Sequence, residues 1–128
     1  MQKLIFIVLS VFIGMSTYAQ ENSEKILGKW TNEDQTRVIE FVKNGDEFEA
    51  IVRQAENPEG IGRKPITSLK YHKENTYKGG TVHIFARNTT AKCSAKIINK
   101  NELEIKAEFG IISRTNTWRR INIENSGT

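Results

Sequence analysis

Apolar and polar residues alternate with a period of two along most of this chain, most cleanly in Leu103-Glu104-Ile105-Lys106-Ala107-Glu108-Phe109. Four apolar side chains take one face of a strand there and three charged ones take the other, so one face is buried and the other is wet. Ala91, Cys93, Ala95 and Ile97 repeat the pattern against Lys92, Ser94 and Lys96, and Asn99-Lys100-Asn101 joins the two runs as a hairpin. Thr36 to Lys43 and Glu47 to Arg53 flank Asn44-Gly45-Asp46, the strongest hairpin signal in the chain because Asn and Gly both accept positive φ. Phe48, Ala50 and Val52 mark the inner face of the second arm. Gly28 to Thr31, Ser68 to Lys73, Thr81 to Arg87 and Thr115 to Ile121 complete a set of about eight strands. No useful helical period, internal repeat or low-complexity linker interrupts them.

Turn residues recur about every ten positions, which is the mark of antiparallel all-β architecture. Eight short strands in roughly 100 residues must hide their edges, and closure into a small up-and-down β-barrel does so; two packed sheets are the alternative. Two residue groups favour the barrel. Gly28-Lys29-Trp30 opens the first strand, and Trp118-Arg119-Arg120 lies on the last, which neighbours the first in a closed barrel. Arg119 or Arg120 stacked on Trp30 would close the barrel floor by a cation–π contact of about 1 kcal/mol, in an arrangement that resembles the lipocalin-type signature. One connection is long: Gln54 to Thr67 holds both prolines and two glycines and lacks alternation, so it is either a functional lid or a plain wide crossover.

The first nineteen residues follow a different rule. Lys3 precedes an apolar run from Leu4 to Met15, and Thr17-Tyr18-Ala19 offers a small-residue cleavage site. The pattern predicts a signal peptide over residues 1–19, with export to the periplasm or beyond and Gln20 as the new N-terminus. The alternative, an uncleaved anchor, needs roughly 20 apolar residues, and this run is shorter. The rest then divides into a flexible leader at 20–27, with a helical turn around Ser23 to Leu27, one domain at 28–122 and a C-terminal tail at 123–128. With 19 Lys and Arg against 15 Asp and Glu the chain carries +4, and losing Lys3 leaves it mildly basic. Charges of both signs alternate, and no basic run is interleaved with aromatics, so no nucleic-acid partner is expected. Cys93 is the single cysteine, so no intrachain disulfide can form despite an oxidising destination. No later apolar run could span a bilayer.

Several blocks together resemble a bacterial family, the domain of unknown function 2147. They are Gly28-Lys29-Trp30, Asn57-Pro58, Gly62-Arg63-Lys64-Pro65-Ile66 with Leu69, Tyr77-Lys78-Gly79-Gly80, Leu103-Glu104-Ile105 with Gly110, and Arg114-Thr115-Asn116-Thr117-Trp118-Arg119. The resemblance implies a lipocalin-like small barrel and an export signal, and assigns no activity. The chain departs from the family where Thr81 to Asn88 lacks its Asp-Pro-Gly-like turn, and where Lys106-Ala107-Glu108-Phe109-Gly110 replaces an Arg-Gly-Tyr-Gly block.

Catalytic chemistry finds little support. Cys93 shares its face with Ala91 and Ala95, where a thiol behaves as a small buried hydrophobe rather than a nucleophile for His72 or His83. Those histidines lie on different strands with no third ligand beside them, so no metal is expected. Glu104, Lys106 and Glu108 read as a solvated row, and Asn88-Thr89-Thr90 as a turn. Arg63 and Lys64, with Arg119 and Arg120, either receive an acidic headgroup or keep the surface soluble. The aromatics Phe41, Phe48, Tyr71, Phe85 and Phe109 fill the barrel, and Ala50, Ala91, Ala95 and Ala107 leave room for a narrow apolar cavity. The expectation is a monomer without cofactor or catalysis that binds a small apolar or amphipathic molecule through Tyr71, Phe85, Ala95 and Ala107, closed at its floor by Trp30, Trp118, Arg119 and Arg120. A structural or protein-interaction module of the cell envelope is the alternative, selected by a solid interior.

Overall fold

The computed structural model describes residues 22–121. The signal segment, its cleavage site and the tail at 123–128 lie outside the described residues. Eight strands follow one another around a closed antiparallel barrel, each bonded to its neighbours in sequence and the last to the first. They are β1 (Gly28–Thr31), β2 (Val38–Asn44), β3 (Glu47–Gln54), β4 (Ile66–Lys73), β5 (Thr76–Ile84), β6 (Thr89–Asn99), β7 (Glu102–Phe109) and β8 (Ile112–Arg120). The meander follows from hairpin chemistry. Gly45 takes φ +66 in the turn after Asn44, and Glu74 and Asn75 take φ 49 and 64 in the turn between β4 and β5.

Several strands begin ahead of the positions their alternation predicts, β5 and β8 furthest. β5 starts five residues before Thr81, because a register shift between Tyr77 and Gly80 resets the period of two. Gly79 supplies φ +74 there, and Gly80 lets Leu69 and the Cys93 carbonyl close in where a side chain would stand. β8 starts three residues before Thr115, and its inner face mixes Ile112, Arg114, Asn116 and Trp118, so hydrophobic pattern alone does not reveal it.

The three turns β2–β3, β4–β5 and β6–β7 share one end of the barrel with both ends of the described chain. This end is the floor, and it is packed solid. Trp30, Tyr77, Phe41, Phe48, Ile39, Leu69 and Leu103 are fully buried. The leader is not loose where it is described. Glu24–Ile26 forms a single 3-10 turn, Ile26 is fully buried in the core, and its carbonyl accepts from Trp30 Nε1 at 2.9 Å. Tyr77 Oη also donates to the Ser23 carbonyl at 2.8 Å. A buried indole N–H and a buried phenol both need acceptors, and the segment before β1 supplies them.

The other end is the mouth, bounded by the β1–β2, β3–β4, β5–β6 and β7–β8 connections. Its wall is uneven. β1 has four residues because Asn32 Oδ1 accepts from the Thr36 and Arg37 amides at 3.0 Å each, while Thr31 Oγ1 donates to the Arg37 carbonyl, so the chain turns back at once. The β1–β8 seam therefore has two pairs, Trp30↔Arg120 and Thr31↔Arg119. Above them, Ile112 to Trp118 of β8 has no strand on that side among the described residues. At about 3.3 Å per residue this leaves roughly 20 Å of open edge.

Candidate functional site

Direct cross-strand partners share a face, so register identifies the inner surface residue by residue. At the floor, Trp30 opposite Arg120 puts that arginine, and not Arg119, on the tryptophan's face. The Arg120 guanidinium lies 4.2 Å from the Trp30 ring centroid. It donates to the carbonyls of Leu27, Lys25 and Lys100 at 2.9, 2.7 and 2.9 Å, tying the leader and the β6–β7 turn to β8. Burial lowers its pKa, and the group stays charged because guanidinium starts so high. Arg119 is exposed, opposite Glu102 of β7, and Trp118 packs half-buried against the core opposite Leu103. A depression of about 840 Å³ lies outside this floor, lined by Lys25, Lys29, Glu40 and Lys100 among others. Arg120 borders it with each of its three nitrogens donating to a carbonyl.

Toward the mouth the inner face changes character. Ala107 of β7 stands between Cys93 of β6 and Arg114 of β8, and Ile105 between Ala95 and Asn116. Cys93, Ala95 and Ile105 are buried, Ala91, Val82 and Ala107 are half-buried, and Arg114 and Asn116 are exposed. Solvent thus enters the barrel along the open β8 edge. The result is a small-residue apolar cup with one cation and one amide on its inward row. Arg114 makes no hydrogen bond or ion pair with another described residue.

The four predicted lining residues do not come together. Tyr71 sits at the floor, 5.4 Å from Tyr77 in an edge contact, and Ala95 lies opposite the fully buried Tyr77. Phe85 is outside the cup, exposed in the 3-10 turn Phe85–Arg87, stacked on His83 and capped by Arg63 at 4.9 Å. Phe109 also leaves the interior, because β7 outlasts the low side of the barrel and its end has nothing to pack against. Of the four, Ala107 borders the cup and Ala95 lies at its base, in the row of Ile105 and Asn116. Arg114 and Asn116 escape a sequence reading because they interrupt the alternation that would place them on a strand's inner face.

The long connection is no free flap. Asn57 Oδ1 caps the turn Pro58–Gly60 by accepting from Glu59 N, and Val52 bonds both Gly62 and Arg63 through the backbone. His83 N reaches the Pro65 carbonyl at 2.8 Å. Lys64 is paired with the buried Glu49 at 3.2 Å. Burial pushes the Cys93 thiol up to about 12, so it is protonated and unreactive at neutral pH. His83 Nε2 hydrogen-bonds Thr67 Oγ1 at 2.9 Å, His72 is exposed elsewhere, and no cluster of three metal-ligating side chains occurs among the described residues.

Known proteins supply two likenesses. The model of a family described as an uncharacterized protein conserved in bacteria, DUF2147, matches residues 28–120. The solved structure of protein HP1028 from Helicobacter pylori, described as belonging to the lipocalin family, is similar with a TM-score of 0.65 at 18% identity. It covers 80% of this chain and 86% of that one, a likeness that shows the fold. No curated protein matches this chain.

Proposed function

The chain belongs to the bacterial DUF2147 family, and from that footing we propose that it is an exported carrier of a small amphipathic molecule, held in the barrel mouth without catalysis. The observation that carries the reading is the inward row Cys93, Ala107, Arg114, which passes from buried to exposed along the open β8 edge. Small side chains leave width for an acyl-like segment, and Arg114 offers an unpaired cation to an anionic end. A charge-assisted hydrogen bond there is stronger than a neutral one, which favours an anionic amphipath over a purely apolar molecule. The solid floor fixes the depth of insertion. The lipocalin-like fold of HP1028 is compatible with this use. Against catalysis stand the protonated thiol of Cys93 and the separation of the two histidines. Export rests on the Leu4 to Met15 run and the Thr17-x-Ala19 site.

Uptake of dansyl-aminoundecanoic acid, a fluorescent fatty acid, tests the reading. The wild type should bind it, Ala107→Phe should abolish binding with an unchanged denaturation midpoint, and Arg114→Gln should weaken it about tenfold. Absence of uptake by the wild type would overturn the carrier reading and leave the interaction module. Intact mass of the exported protein should begin at Gln20, and retention of residues 1–19 would refute cleavage.

A further inference from the structure

Among the described residues six large apolar side chains are exposed, and five stand at the mouth: Ile61 at 50%, Phe85 at 45%, Phe109 at 38%, Ile111 at 103% and Ile112 at 62%. Hairpin tips are ordinarily polar, so an isoleucine fully in water at the β7–β8 turn calls for a partner. The β5–β6 and β7–β8 hairpins are neighbours through β6 and β7, which pair as far as Lys92↔Glu108. Their tips therefore stand within a few strand spacings of about 5 Å. Phe85, Phe109, Ile111 and Ile112 form one exposed apolar edge at the rim, where Phe109 and Ile112 continue the inward face above Ala107 and Arg114.

The charges around this edge are one-sided. Arg87 stands in the Phe85–Arg87 turn and Arg63 lies 4.9 Å from the Phe85 ring, while the carboxylate of Glu108 is 3.8 Å from Lys106. Arg87, like Arg114, makes no ion pair with another described residue. The acidic Glu33 and Asp34 belong to the β1–β2 connection, on the low side of the mouth beside the short β1, and Glu56 and Glu59 to the β3–β4 connection that also carries Arg63.

We propose that the β5–β6 and β7–β8 tips dock this end of the barrel on an anionic lipid surface. Phe85, Phe109, Ile111 and Ile112 enter the boundary between headgroups and acyl chains, and the arginines meet lipid phosphates, the combination that holds interfacial proteins. The acidic low side is tilted away from the membrane. A second copy of the chain fits less well, because a two-fold contact through these tips would set the arginines against their own kind. The docking does not depend on what the cup carries.

Flotation with vesicles tests it, using the purified chain from Gln20 onward, which contains the whole closed barrel. The protein should float with vesicles of phosphatidylglycerol and phosphatidylcholine in equal parts and stay behind with phosphatidylcholine alone. Ile111→Asp with Ile112→Ser should lower the bound fraction more than about tenfold, and Arg87→Gln about fivefold. Both variants should keep the wild-type denaturation midpoint, and Arg87→Gln, which lies off the inward row, should keep dansyl-fatty-acid uptake. Vesicle binding that persists in a protein taking up no probe would support docking while removing the carrier reading. Docking is overturned by no flotation of the wild type with the anionic vesicles, or by equal flotation of the Ile111 and Ile112 double variant. A concentration-dependent dimer in sedimentation, lost in that double variant, would instead assign the tips to a second copy and also overturn it.

Discussion

Arg120→Ala removes the clasp that joins both ends of the described chain to the barrel floor. Four contacts disappear together: the 4.2 Å stack on Trp30 and the donations to Leu27, Lys25 and Lys100. The stack contributes about 1 kcal/mol, and the half-buried bond to the Leu27 carbonyl about 1.5. The bonds to Lys25 and Lys100 are solvent-exposed, so each counts for about 0.5 kcal/mol after competition with water. Freeing a long side chain returns about 1 kcal/mol of rotamer entropy, so the net loss is about 2 to 3 kcal/mol. That exceeds what a stack alone would give, because the guanidinium fork reaches three carbonyls at once. For a barrel of this size the melting temperature should fall by roughly 10 to 20 °C. Denaturant titration followed by tryptophan fluorescence reads the midpoint, with Arg119→Ala as the control, since that side chain faces outward. Arg120→Lys should recover less than half of the loss, because one ammonium cannot span the three acceptors. An Arg120→Ala midpoint equal to that of Arg119→Ala would refute this account of closure.

Three further outcomes are expected. Gly80→Ala should destabilise by about 1 to 3 kcal/mol in thermal melts, because the new Cβ would stand 2.8 Å from Leu69 Cδ1 and 3.2 Å from the Cys93 carbonyl oxygen. Cys93 and Tyr77 both have folded-state pKa values above their unfolded ones through burial, so stability should be flat below about pH 8.5 and fall as pH rises beyond it. Unfolding free energies from urea titrations at pH 7 and pH 10 should differ by about 1.5 to 2 kcal/mol from Cys93 alone, and Cys93→Ala should shrink that difference; a pH-independent unfolding free energy would contradict the burial. Tyr77→Phe should cost about 1 kcal/mol and speed proteolysis of the segment before β1, because Ser23 loses its donor. Limited digestion followed by intact mass reads the cut.

The period of two was enough to read about eight strands in antiparallel order, and it left a closed barrel or two packed sheets as the ways to hide their edges. The choice of Phe48, Ala50, Val52, Leu103 and Ile105 as inner residues was legible for the same reason. A tryptophan on the first strand and arginines on the last were also enough to expect a stacked seam, but only register says which arginine takes part, since neighbours on a strand face opposite ways. The binding surface was not legible. Depth along the barrel depends on how far each strand outlasts its neighbours, and a side-chain hydrogen bond from Asn32 that stops β1 at four residues decides it. That early stop leaves β8 open, turns Arg114 and Asn116 from interruptions of a pattern into the polar side of a cup, and leaves Phe109 in solvent. Alternation reports which face a residue takes, and tertiary structure alone reports whether anything stands opposite it.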